Sequence, residues 1–180
     1  ELVLGESRAV LATRMGVMIV EHRLGHVMAN AGIDRSNVEG GDDAQVLLLP
    51  RDPDASARAL RERLAERFGA GPAVIVSDSF GRPWRHGTVG IALGAAGLPA
   101  LADLRGRPDL YGRPLEITEV GFADEIAAAA SLLMGQAAEA TPAVWVRGLA
   151  WDLPERPAAA LLRPAAEDLF RRGRGGERGT

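Results

Sequence analysis

Apolar residues recur along this chain in two rhythms, and the change from one to the other marks its elements. After Asp52 the spacing is helical: Leu60, Leu64 and Phe68 fall on one face, and Arg61, Glu62, Arg63 and Glu66 occupy the others as a solvated surface. Asp52 is placed to cap that helix, Pro53 suits its first turn and Gly69 its end. Helical spacing also covers residues 1–11, and an alanine-rich helix is predicted from Ala123 to Met134 with Gly135 as its C-cap. Short apolar runs bounded by turn residues predict strands instead. They lie at 16–20 and 26–30, a hairpin bracketing Leu24-Gly25, and at 46–49, 73–76 and 143–148. Residues 88–94 are apolar and glycine-rich, which suggests close approach of another backbone. Strands and helices alternate irregularly, so the fold class expected is α+β, a mixed sheet packed with helices, with residues 1–170 as one domain and 171–180 as a frayed Gly/Arg tail.

Composition narrows the chemistry. A chain of 180 residues that is 47% hydrophobic can bury a substantial core, in one domain or two small lobes. The net charge of -3 gives no broad pull toward nucleic acid or an anionic membrane, so any phosphate binding must be local. All 21 basic residues are Arg, which excludes a phosphate-loop lysine, a Schiff-base lysine and a lysine general base within these residues. Without Cys there is no disulfide, thiolate or zinc-thiolate chemistry. No apolar run approaches the ~20 residues that span a bilayer, so a cytoplasmic location without a membrane partner is expected. The first residue is Glu and no signal peptide follows it, as expected of a chain that begins inside a larger protein.

The densest information lies at the end of the 73–76 run, where Ser77-Asp78-Ser79-Phe80-Gly81-Arg82-Pro83-Trp84-Arg85 is expected to form a strand-to-loop junction. Asp78 and Ser79 offer hard oxygen ligands for a divalent cation, and Arg82 and Arg85 can grip phosphate or carboxylate in bidentate fashion. Asp34 follows another apolar stretch. If the two acids converge they form an oxygen site suited to Mg²⁺ or Mn²⁺; either Asp can equally bond to its own backbone turn. His22 and His26 flank a turn and do not read as a zinc pair, and His86 beside the arginines can be surface or substrate contact. Asp124 and Glu125 suit the positive end of a helix. Phe80 and Trp84 could stack on a flat ring or anchor the segment in the core. Gly-x-Gly-x-x-Gly after a strand, a Walker loop and a Gly-x-Ser-x-Gly elbow are all absent.

Together, residues 26–37, residues 77–85, and residues 123–130 with Met134-Gly135-Gln136 resemble the coenzyme F420-0:L-glutamate ligase family, the gamma-glutamyl ligases of deazaflavin cofactor biosynthesis, in residues, order and spacing. The likeness reaches about Phe170, through Val146-Arg147-Gly148 and Glu167-Asp168-Leu169-Phe170. It implies a gamma-glutamyl ligase-like fold and a homodimer that joins L-glutamate to coenzyme F420-0 at the expense of GTP, with two divalent sites (Mg²⁺ or Mn²⁺) and K⁺. On the matching positions it implies Asp34, Asp78, Ser79 and Gln136 as metal ligands. It likewise implies Asn37 and the segment Met134, Gly135, Gln136, Ala137, Ala138, Glu139, Ala140 and Thr141 as GTP contacts. Arg82 and Arg85 are assigned here, from their chemistry, to the precursor's phosphodiester or the incoming carboxylates. An upstream segment of the family that supplies further GTP contacts, including a lysine, has no counterpart, so the chain is expected to be N-terminally truncated. The residues by themselves leave open a metal-dependent phosphohydrolase or phosphotransferase, or a binding or dimerisation module without turnover.

Overall fold

The structure, a computed structural model, describes residues 1–38 and 45–168; residues 169–170 and the expected tail at 171–180 lie outside the described residues. Its architecture is α+β, as expected, with every paired strand antiparallel to its neighbour. The start differs from the helix expected over residues 1–11. A single turn, α1 (Leu2–Gly5), gives way to β1 (Ser7–Arg14), which pairs with β2 (Val17–His22) through a turn at Met15 and Gly16. Both turn residues have positive φ, 51° and 79°, the twist that suits a two-residue hairpin. A short apolar run carries both periodicities, and pairing to β2 decides between them. The expected second hairpin is present, since β3 (Val27–Ala29) pairs with β2, Val20 opposite Met28.

α2 (Pro53–Phe68) is capped as expected: the Asp52 carboxylate accepts from Ala55 N at 2.8 Å, and Gly69 closes it in the left-handed conformation. The face it buries is not the expected one. Of the expected stripe Leu60 and Phe68 are exposed and only Leu64 is half-buried, while Pro53, Asp54 and Ala57 are buried and Arg61 is half-buried. Short side chains win here because the helix lies almost against a backbone. A Cβ on Gly94 of β5 (Arg85–Ala96) would stand 2.1 Å from Pro53 O, and one on Gly90 would stand 2.5 Å from Ala127 O of α3 (Phe122–Met134). The close approach expected of the 88–94 glycines is therefore made by two helices at once.

The strand expected at 73–76 is longer: β4 (Val74–Arg82) runs as a ladder beside β5 through the whole Ser77–Arg82 segment, so the Asp-Ser pair sits on a strand and not in a loop. Two expected strands do not form among the described residues. Residues 46–49 contribute only a bridge between Leu47 and Asp34, and residues 143–148 run without a ladder partner, Trp145 exposed. Apolar runs of that length need an adjacent strand edge, which the local sequence does not specify. A two-stranded patch, β6 (Ala102–Asp103) with β7 (Glu119–Val120), completes the sheets. No described helix is long and apolar enough to cross a membrane.

One core cluster joins Ala92, Ala95 and Leu98 to Ala123 and Ala158; the other joins Met28, Leu49, Phe80 and Leu93. His22, the last residue of β2, is wholly buried. Its Nδ1 accepts from Leu24 N at 3.0 Å and its Nε2 lies 3.4 Å from Glu6 Oε2. Burial, then the Arg23 charge, pushes the His22 pKa down against the pull of Glu6; burial and His22 push His26 down against Asp54. A histidine depressed in the folded state contributes stability above its unfolded value of about 6.5 and loses it as pH falls through the folded value. The unfolding free energy should therefore fall between pH 7 and pH 5, by up to about 1.4 kcal/mol per pH unit for each histidine, and the urea midpoint should fall with it. A midpoint flat over that range would show that neither histidine takes up a proton on unfolding.

Candidate active site

Asp34 and Asp78, 44 positions apart in sequence, line one open pocket of about 620 Å³ together with Asn37, Ser79, Ser131 and the stretch Met134 to Pro142. Three elements deliver it. The 34–37 turn brings Asp34, whose Oδ1 accepts from Ser36 N at 2.7 Å and from Ser36 Oγ at 2.6 Å. β4 brings Ser77, Asp78 and Ser79, half-buried; Asp78 Oδ1 accepts from Ser79 N at 2.7 Å. The C-terminal end of α3 brings Met134, Gly135 and Gln136, the chain leaving the helix at Gly135 with φ 75°. Asn37, itself at φ 54°, donates from Nδ2 to Ala137 O at 3.0 Å and ties the first element to the third.

The electrostatics separate the two acids. Hydrogen bonds from the Ser36 hydroxyl and backbone hold Asp34 below the usual carboxylate range. Burial, with the Asp34 charge added, pushes Asp78 up despite the Ser79 amide. Glu139, held low by backbone N–H groups led by that of Ala137, is a third carboxylate on the wall. Among the described residues no basic side chain lines this pocket, in a chain with 21 arginines. Negative charge gathered without a cation is the feature that needs explaining.

Of the residues singled out in the sequence, Asp34, Asn37, Asp78, Ser79 and all of 134–141 meet at this pocket. Arg82 and Arg85 do not: they flank the β4–β5 turn, where Arg82 reaches His86 O and Gly87 O at 3.4 and 3.5 Å. Phe80 resolves toward the core and Trp84 toward the exposed hairpin tip. Glu125 is exposed, as a helix-end acid should be, whereas Asp124 turns inward. Ser131 was missed, and Ser77 and Gly90 stood in singled-out segments without a site role; the lone hydroxyl at 131 in a run of Ala and Leu was the available signal.

The description F420-0:gamma-glutamyl ligase belongs to the family that matches residues 1–148. The chain belongs to that family. Over 175 residues it is 49% identical to the coenzyme F420:L-glutamate ligase of Methanopyrus kandleri, covering 95% of this chain and 68% of that protein. The protein of the same name from Methanothermobacter thermautotrophicus is 50% identical over 173 residues, again 95% and 68% of the two chains. That from Methanocaldococcus jannaschii is 40% identical over 171 residues, 95% and 67%. Asp34, Asp78, Ser79 and Met134 to Thr141 all fall inside the matched span of this gamma-glutamyl ligase family member.

Proposed function

We propose that the protein is a GTP-dependent ligase that adds L-glutamate, and further gamma-linked glutamates, to coenzyme F420-0. The observation that carries this reading is that Asp34 and Asp78, close enough for one charge to act on the other, line a pocket with Glu139 and with no basic side chain among the described residues. A triphosphate can enter such a pocket only with cations, and carboxylate, hydroxyl and amide oxygens are the donors that hard divalent ions take. Asp34, Asp78, Ser79 and Gln136 would hold two Mg²⁺ or Mn²⁺ ions, which when bound neutralise phosphate charge and orient donor and acceptor. Asn37 and Met134 to Thr141 would hold GTP, and K⁺ is a further expected ion.

A carboxylate is a poor electrophile toward an amine. In the proposed sequence a precursor carboxylate oxygen takes the γ-phosphoryl group of GTP, and GDP leaves. The amine of L-glutamate then attacks the acyl carbon, phosphate departs with the bonding pair, and loss of an N–H proton leaves the amide. The chain's part is positional. Asp34 is fixed by Ser36, Asp78 by its own strand, and the 135–142 loop by Asn37. Arg82 and Arg85 lie roughly 13 Å along the strand from Asp78, a distance an extended precursor can bridge to place its phosphodiester on them. A homodimer is supported by the exposed apolar side chains of Leu132, Leu133, Trp145 and Leu149.

Mass spectrometry of a reaction with coenzyme F420-0, GTP, Mn²⁺ and L-glutamate should show the precursor gaining one glutamyl residue, with GDP release sustained only when glutamate is present. GDP formed equally without glutamate, and no mass gain, would replace this reading with phosphohydrolysis.

A further inference from the structure

We infer that Asp124 is a positioning residue, which fixes the irregular part of β5 against α3 and so sets the arrangement of Ser77, Asp78 and Ser79 in the pocket. The inference rests on the pocket being the metal and nucleotide site proposed above.

The β4–β5 ladder is not uniform. Val76 pairs with Gly94 but Ser77 pairs with Ala92, so Leu93 is an extra residue on β5, placed where the pocket-lining part of β4 begins. Such a bulge re-aims the side chains that follow it and leaves local backbone groups without regular ladder partners. Here the Ala92 amide, opposite Ser77, donates to Asp124 Oδ1 at 2.8 Å. Ile91, the next residue, pairs with Asp78. Three residues on along α3, Ala127 presents its carbonyl to Gly90, itself opposite Ser79; a Cβ on Gly90 would meet it at 2.5 Å. One helix face thus touches β5 opposite Ser77 through a carboxylate and opposite Ser79 by close contact. The same helix ends at Met134, and Met134, Gly135 and Gln136 line the same pocket. Asp124 is half-buried and reaches no pocket surface, so its influence on the site passes through the Ala92 amide and the angle of α3.

Glu125 provides the control. Both acids stand in the first turn of α3, and both would meet the helix dipole, but Glu125 is exposed. Losing either removes a helix-end charge; losing Asp124 also frees a backbone amide beside the site.

The test is a Mn²⁺ titration followed by electron paramagnetic resonance on the wild-type protein and on Asp124→Ala, Asp124→Asn and Glu125→Ala, with amide hydrogen exchange at Ala92. Asp124→Ala should weaken Mn²⁺ binding about tenfold, the lower end of what loss of an outer-shell partner does to a metal site, and the Ala92 amide should lose protection. Asp124→Asn, which keeps an acceptor oxygen, should stay within about threefold of wild type, and Glu125→Ala should match it. Should Asp124→Ala not fold, Asp124→Ser, whose hydroxyl is too short for the bond, takes its place with the same expectation. A folded Asp124→Ala or Asp124→Ser protein with wild-type Mn²⁺ affinity overturns the inference, even if its melting temperature drops. Wild-type protein that takes up no Mn²⁺ overturns the metal reading itself, and the inference falls with it.

Discussion

Asp78→Asn should cripple ligase turnover while making the metal-free protein harder to unfold. Asp78 is half-buried on β4 and shares its pocket with Asp34, and burial and that neighbouring charge both disfavour its carboxylate. A neutral amide of almost the same shape removes both costs and can still accept from Ser79 N. Site residues held in an unfavourable state are the places where a substitution raises stability at the expense of function. The thermal midpoint of the metal-free variant should rise by about 2–4 °C, the change that about 1 kcal/mol produces in a domain of this size. Turnover should fall by about 10²–10³, comparable to losing one stabilising group from a charge-handling active site. Divalent cation should then raise the midpoint of wild type and leave that of the variant almost unmoved. Scanning fluorimetry with and without Mn²⁺, beside the glutamate-dependent assay, checks all three. A variant that keeps wild-type turnover would remove Asp78 from the site.

Asp54→Ala should have the largest effect on stability, a loss of about 3 kcal/mol that leaves the pocket chemistry untouched. Asp54 is buried at the start of α2, and its carboxylate accepts from Ala95 N and Ala158 N, each at 2.8 Å, and from Ala159 N at 3.2 Å. Three parts of the chain meet on two oxygens. Alanine leaves the donors buried without an acceptor, which costs about 1–3 kcal/mol for each one that stays dry, partly offset because a buried charge has also gone. The melting temperature should drop by about 6–12 °C. Asp54→Asn should lose less, since one amide oxygen remains to accept. Below the transition the Asp54→Ala protein should still turn over, because Asp54 is absent from the pocket wall. A midpoint within about 2 °C of wild type would show that these bonds are replaced by water.

Asp54 and Asp124 also show why part of the molecule was illegible in the sequence. Both look like first-turn acids, and helix-end electrostatics explains such residues without any further partner. Their actual acceptor roles depend on β5 passing beside both helices, which no local pattern encodes. The same holds for α2: a stripe of Leu60, Leu64 and Phe68 reads as the core face, yet a glycine-bearing strand makes the small face around Ala57 the one that fits. Strand ends failed for a related reason. Residues 143–148 have the composition of a strand but no ladder, and Ser77–Arg82 have polar, loop-like composition but a full partner in β5.

From its residues alone this chain determined its α+β class, the capped helix from Asp52 to Gly69, the hairpin around Leu24-Gly25 and Asp34, Asp78 and Ser79 as oxygen donors, because each follows from short-range sterics or from what a functional group can donate or accept; Asn37, Gln136 and Glu139 were reached only through the likeness to a family. Tertiary structure decided that Asp34, Asp78 and Gln136 share one pocket, that Arg82 and Arg85 stand outside it, and that two helix-start acids are fastened to a strand. Convergence is settled by which surfaces pack, and here packing turned on glycines at 90 and 94 that let two helices come within backbone distance of β5.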